Sequence, residues 1–301
     1  MDRRVKYIEK DAVIKAFHST CSANQKRSKW CLGRIAHREK GRDDYTYEKE
    51  NGNASTIYIL DTGIRAAHKE FGGRAVLGYN SVLSELHNSD QNGHGTCVGS
   101  LAAGVLSGTS KYARIVSVKV LNARGAGSIS DICGGIDWVI GQRREGTSIM
   151  NLSLGGSASE VLDECVNTAG KNNILVVVAA GNENKNSSEV SPARAKEAFT
   201  VAASDANDKL ASFSNWGSKV NLISPGIECS CASHSNDHAY VQMSGTSMAS
   251  PLVAGVAATH LNKNPKLKPG ELKRILIEDS TKISDSPLKQ TAGNLLFNGC
   301  D

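Results

Sequence analysis

The sequence predicts an α/β fold with a mostly parallel central sheet and helices on both of its faces. Three observations predict it. From about residue 57 onward, short apolar runs alternate with stretches of helical length, the signature of βαβ units. Polar residues able to carry chemistry recur where those runs end, which is where open parallel sheets place their ligands. The chain has 301 residues, 40% of them hydrophobic and 22% charged. A chain this long buries roughly three quarters of its unfolded surface, enough for one large core.

The first 55 residues are charged and lack apolar periodicity, so little core is expected of them. Residues 57–60 (IYIL), closed by Asp61-Thr62-Gly63, read as a buried strand and its turn. Further strands are expected over 113–121, 149–154 and 174–180, the last (ILVVVAA) being the most apolar. Helical patterns fall between them, over about 94–106, 129–144 and 158–171. Shorter strands follow near 199–203, 220–223 and 240–243. Helices over about 247–262 and 269–279 close the chain, with Pro269 in a first turn where its missing N–H costs nothing.

Composition excludes several classes. The 35 basic and 30 acidic residues are interspersed, which is not the footprint of a nucleic-acid binder. No apolar run approaches the roughly 20 residues needed to cross a bilayer, so no membrane partner is expected. The start of the chain, residues 1–6, lacks an apolar segment after its charges and reads without a signal peptide. Eight cysteines, at 21, 31, 97, 133, 165, 229, 231 and 300, form no CxxC pair and no zinc spacing. They permit disulfides in an oxidising compartment without requiring them, and Cys229 and Cys231 are too close in sequence to favour joining each other.

Four polar residues occupy the chemically favoured positions. Asp61 follows a strand. His94, in Asn92-Gly93-His94-Gly95-Thr96, opens a helix. Asn182 follows the most apolar strand, and Ser247 opens the small-residue helix. Taken singly, each is ordinary turn or cap chemistry. Together they read as nucleophilic acyl transfer. A serine hydroxyl needs a base to take its proton, and the base needs a third group to fix its tautomer. The free N–H groups at the start of the Ser247 helix, with the Asn182 amide, suit a developing oxyanion.

The motifs Asp61-Thr62-Gly63, Asn92-Gly93-His94-Gly95-Thr96, Ala180-Gly181-Asn182 and Gly245-Thr246-Ser247-Met248-Ala249-Ser250-Pro251 resemble those of the subtilisin-like serine proteases. The segments Val118-Lys119-Val120-Leu121, Leu152-Ser153-Leu154-Gly155-Gly156 and Phe213-Ser214-Asn215-Trp216-Gly217 are similar to the proteinase K branch. The resemblance covers about residues 54–297 and implies a secreted serine endopeptidase. In it Ser247 attacks, His94 is base then acid, Asp61 holds the imidazole, and Asn182 with the Ser247 N–H forms the oxyanion hole. It implies that Gly125-Ala126-Gly127 and Ser153-Leu154-Gly155 clamp an extended substrate by β-pairing. Ala179, Ala180 and Gly181 would wall a primary pocket suited to a large apolar or aromatic side chain.

The same resemblance implies that residues 1–17 are the remnant of an inhibitory propeptide and 18–301 the catalytic domain, with self-cleavage between Ala16 and Thr20. Protein or peptide substrates and the chain's own propeptide are the expected partners of a monomer. No catalytic cofactor is implied. A structural calcium site common in that branch would use carbonyls near Lys196 and Ala198, but Asn221 stands where the family has a carboxylate, which weakens a hard-cation site. Thr56 and Phe199 stand where many relatives place disulfide cysteines, so those bridges are expected to be absent. Cys97, three residues after His94, is either a buried structural cysteine or a thiol beside the base. Asn53 and Asn186 begin glycosylation sequons, and Asn151 does so by pattern within a strand expected to be buried.

Three rivals were weighed. Asp-Thr-Gly also marks aspartic proteases, but no second such motif exists. The esterase motif Gly-x-Ser-x-Gly is broken by Ala249, and His94 precedes Ser247. A catalytically silent binding protein on the same fold would not need to retain all four polar residues.

Overall fold

Side chains alternate across each central strand, and that alternation divides the core into two layers. The computed structural model describes residues 21–49, 55–85, 87–142, 147–283 and 290–300. In chain order, β1 (Ala23–Gln25) is followed by α1 (Trp30–Ala36) and by β2 (Tyr45–Tyr47), its antiparallel partner. Next come β3 (Thr56–Asp61), β4 (Ala75–Asn80), α2 (His94–Ala103), β5 (Arg114–Lys119), α3 (Ile129–Gln142) and β6 (Ser148–Leu152). After β7 (Gly156–Ser157) come α4 (Glu160–Lys171), β8 (Ile174–Ala179), β9 (Val190–Ser191), β10 (Ala198–Ser204) and β11 (Val220–Pro225). A hairpin of β12 (Cys229–Ala232) and β13 (Tyr240–Met243) leads into α5 (Thr246–Lys263). The chain then runs through α6 (Pro269–Glu278), β14 (Thr281–Lys282) and β15 (Asn294–Leu295).

The central sheet has the order β14-β15-β11-β10-β8-β6-β3-β5-β4. Every pairing from β15 to β4 is parallel, and only β14 runs against its neighbour. This is the mostly parallel α/β sheet that the sequence predicts. Ile57, Ile59, Ile115, Ile149, Leu175 and Val177 pack on one face with Val98, Leu101, Leu252 and Val253 of α2 and α5. Tyr58, Leu60, Val116, Val118, Val176 and Val178 pack on the other with Ile132, Ile136, Val139, Leu162 and Val166 of α3 and α4. The two layers follow directly from the odd and even positions of the strands.

Two expectations are corrected. The region before residue 55 is not without core: Leu32, Ile35 and Ala36 of α1, and Tyr45 of β2, are almost wholly buried. Leu32, Ile35 and Ala36 do share a helical face, but seven residues amid charges are too few to show a period. Arg34 is buried with them because Asp208 takes its guanidinium at 2.6 and 3.0 Å. Strand β4 is also absent from the sequence reading, since it is an edge strand with a mixed burial pattern. Residues 1–17, the proposed cleavage segment before Cys21 and the Asn53 sequon lie outside the described residues.

All eight cysteines pair: Cys21–Cys300, Cys31–Cys229, Cys97–Cys231 and Cys133–Cys165. Cys97 is therefore neither free nor a thiol beside the base. Cys229 and Cys231, two apart on one strand, share a face and reach different helices, α1 and α2. The β12–β13 hairpin is thus stapled to the helix that His94 opens. Native oxidised protein should show no thiol on titration. Replacing Cys97 and Cys231 by alanine should lower the unfolding free energy by about 2–5 kcal/mol. By the same loop-closure reasoning, the loss should exceed that for the Cys133–Cys165 pair, which closes 32 residues rather than 134. Equilibrium guanidinium unfolding of the two double variants checks both size and order.

Candidate active site

Asp61 ends β3 with its side chain wholly buried. Its Oδ1 accepts the Thr62 N–H at 2.7 Å and faces His94 Nδ1 at 2.8 Å. With the carboxylate ionised, Nδ1 carries the proton and Nε2 is left as the basic nitrogen. Lys119, also fully buried, lies under the same turn. Its Nζ donates to the carbonyls of Thr62 at 2.7 Å and Leu121 at 3.0 Å, and pairs with Glu85 at 2.9 Å. A buried charge is costly unless paired, and here the cation is tied to the turn that carries the anion.

His94 opens α2 so close to that turn that residue 95 must be glycine. A Cβ at Gly95 would overlap the Gly63 carbonyl and lie 3.1 Å from the Asp61 Cβ. Asp90 fixes the loop. Its Oδ1 accepts from the Thr62 hydroxyl (2.8 Å), Asn92 N–H (3.0 Å) and Gly93 N–H (2.8 Å), and its Oδ2 from the Thr96 N–H (2.9 Å) and hydroxyl (2.6 Å). Burial works against its ionisation, but the donors win and its pKa is lowered. Burial likewise works against protonation of His94, yet the charge and hydrogen bond of Asp61, helped by Asp90, raise its pKa above the ordinary 6.5.

Ser247 is the second residue of α5, so its N–H lies in the first turn, where intrahelical acceptors are missing. Pro251, four residues on, has no N–H to give the Ser247 carbonyl. The Ser153 hydroxyl takes that place, donating to the Ser247 carbonyl at 2.9 Å while accepting the Asn151 amide at 2.9 Å. The Ser247 hydroxyl itself donates to the Ser153 carbonyl at 3.1 Å. Delivery of its proton to His94 therefore requires the hydroxyl to give up the Ser153 carbonyl. Ser153 thus holds Ser247 at both its carbonyl and its hydroxyl.

Asn182 follows β8 and is exposed. Its Oδ1 accepts both the N–H (2.9 Å) and the hydroxyl (3.0 Å) of Thr246. Because a main-chain N–H can only donate, the oxygen must face Thr246 and the Nδ2 donors face outward. A Cβ built on Gly245 would meet the Ser247 nitrogen at 3.6 Å and Asn182 Nδ2 at 3.7 Å, so glycine leaves the space between these two donors open.

An open cleft of about 760 Å³ is lined by His94, by Gly125, Ala126 and Gly127, and by Ser153, Leu154 and Gly155. Both segments expected as clamp edges are among its lining residues. Of the segment expected as a pocket wall, Ala179 and Ala180 are buried and Gly181 is half-buried. Asn215 packs against this segment. Its amide binds the Ala180 carbonyl at 2.9 Å and Glu183 at 2.7 Å, and a Cβ on Gly181 would overlap it. The apolar lining of the cleft comes from Leu121, Ile129, Ile132, Leu154 and Leu162. At the calcium position of the resemblance, the Asn221 oxygen accepts the Thr200 N–H at 2.7 Å.

Sequence reasoning missed Asp90 and the threonine hydroxyls around it. The composition Asp90-Gln91-Asn92-Gly93 is a turn signal that could have pointed there.

Fold and site together have the form of a serine hydrolase. The subtilase family model matches residues 52–294. Alkaline serine exoprotease A of Vibrio alginolyticus is 38% identical over 301 residues, all of this chain and 56% of that protein. Subtilisin-like protease 4 of Arthroderma gypseum is 40% identical over 304 residues, 99% of this chain and 74% of that protein. A crystal structure of a cold adapted subtilisin-like serine proteinase superposes with a TM-score of 0.86 at 39% identity, covering 91% of this chain and 99% of that one. The chain belongs to the subtilase family of serine proteases.

With His94 read as the base, activity needs it neutral, and its raised pKa should move the acid limb of kcat/KM above pH 6.5. Asp90→Asn removes a negative charge that holds the proton on the ring. Its limb should shift to lower pH, which a pH series on a neutral peptide ester measures.

Proposed function

We propose that the chain is a secreted endopeptidase that cleaves proteins through an acyl-enzyme on Ser247. The observation that carries the reading is the Asp61–His94 hydrogen bond at 2.8 Å, with the Ser247 N–H and Asn182 amide opening into one space. Ser247 Oγ, turned from Ser153, attacks the scissile carbonyl carbon and passes its proton to His94 Nε2. The oxyanion accepts from Asn182 Nδ2 and the Ser247 N–H. His94 then protonates the leaving amine, the C–N bond breaks, and water repeats the sequence to free the acid. Asp61 stays ionised and stabilises the imidazolium.

An extended substrate pairs with Gly125–Gly127 and Ser153–Gly155, and the leucines and isoleucines of the cleft favour large apolar side chains. An aspartic-protease mechanism fits less well, because Asp61 is engaged by His94, and Asp90, the neighbouring carboxylate, is saturated by five donors. Four disulfides support an oxidising, extracellular compartment. Among the described residues no helix is long and apolar enough to cross a membrane. In this reading the chain acts as a monomer, and residues 1–17 are the end of a propeptide that its own site removes.

Ser247→Ala should abolish hydrolysis of a casein-type substrate. Asn182→Ala should retain a residue of it, with kcat down roughly 10²–10³-fold. Equal, complete loss in both, with circular dichroism unchanged, would contradict this division of roles.

A further inference from the structure

We propose that Arg124 makes the cleft selective for peptides carrying an acidic side chain at the second residue before the cut bond. This rests on the protease reading above and adds a substrate class to it. Arg124 is exposed, lines the cleft and directly precedes the Gly125–Gly127 edge. Its main chain is held firmly. Asn122 Oδ1 accepts the N–H groups of Arg124 at 2.9 Å and Ala126 at 3.2 Å, and Asn122 N–H donates to the Ala126 carbonyl at 2.9 Å. The Ala123 carbonyl accepts from Asn92 Nδ2 at 3.0 Å, which ties this loop to the one carrying His94.

The guanidinium has no hydrogen bond or ion pair among the described residues, whereas Arg34, Arg65, Arg194 and Arg274 each pair with a carboxylate. Acidic neighbours in sequence and space are already engaged. Glu85 is held by Lys119 and by the Ala123 N–H at 2.7 Å, and Asp131 is held by the Ser128 hydroxyl at 2.6 Å. No carboxylate lines the cleft, whose ionisable side chains are His94 and Arg124. A lone cation in a groove with apolar walls focuses its field into the groove. A guanidinium also binds a carboxylate in two-pronged fashion, which favours Asp or Glu over other polar residues.

Position follows from the loop. Its Arg124–Gly125 end abuts Asn92, two residues from His94, while Ile129 and Ile132, which also line the cleft, come further along the chain from that end. A peptide paired along this edge presents its residue next to the reactive one at the Arg124 end, and more distant residues to the apolar end.

The test uses three fluorogenic peptides alike except for Glu, Ala or Lys at that second position. At low salt kcat/KM should fall in the order Glu, Ala, Lys, with steps of about threefold to fivefold, the scale of an exposed ion pair. Molar salt should compress the series. Arg124→Ala should flatten it and Arg124→Glu should invert it. A flat series in the unaltered chain, or a Glu preference that survives Arg124→Ala, would overturn the proposal while leaving the protease reading intact. Failure to cleave all three peptides and casein would instead overturn the protease reading, and this proposal with it.

Discussion

A carboxylate buried at the end of a central strand and bonded to the first side chain of a helix is the constraint on which the rest depends. Asp61 and His94 are 33 residues apart, on β3 and α2. Their contact is possible because Gly95 lets the helix start touch the strand's turn. It is kept because Asp90 gathers donors from Thr62, Asn92, Gly93 and Thr96 into one network. The carboxylate is thereby held where desolvation strengthens its interaction with the imidazole.

Ser247 is held by a different device. Pro251 deprives α5 of one helical hydrogen bond, and the exposed carbonyl belongs to Ser247. Ser153, itself fixed by Asn151, satisfies that carbonyl from the strand end across the cleft. A local defect in the helix thus becomes a link between Ser247 and the segment after β6 that lines the cleft. The disulfides act on the same assembly from outside, since Cys97 on α2 and Cys31 on α1 both anchor the hairpin that leads into α5.

The parallel sheet and its helices were legible because strands buried on both faces read as continuous apolar runs, and α2 to α6 carry clear periods or breakers. The four central polar residues were legible from their place at strand and helix ends. Less was legible where pattern is weak or contact is remote. Helix α1 is too short to display a period, β4 is half exposed, and cysteine pairing depends on the fold. Asp90 looks like any turn aspartate until its five donors are in place. The packing of Asn215 against Ala180 and Gly181 was hidden as well, because nothing local reveals a partner over 30 residues on.

Ser247 as the activated hydroxyl is the central claim. Its most direct test is stoichiometric phosphonylation by a fluorophosphonate, mapped by mass spectrometry in the unaltered chain and in His94→Ala. The account predicts one phosphonyl group per chain, on Ser247, and near-complete loss of labelling rate without the imidazole. Labelling at another residue, or an equal rate in His94→Ala, would contradict it.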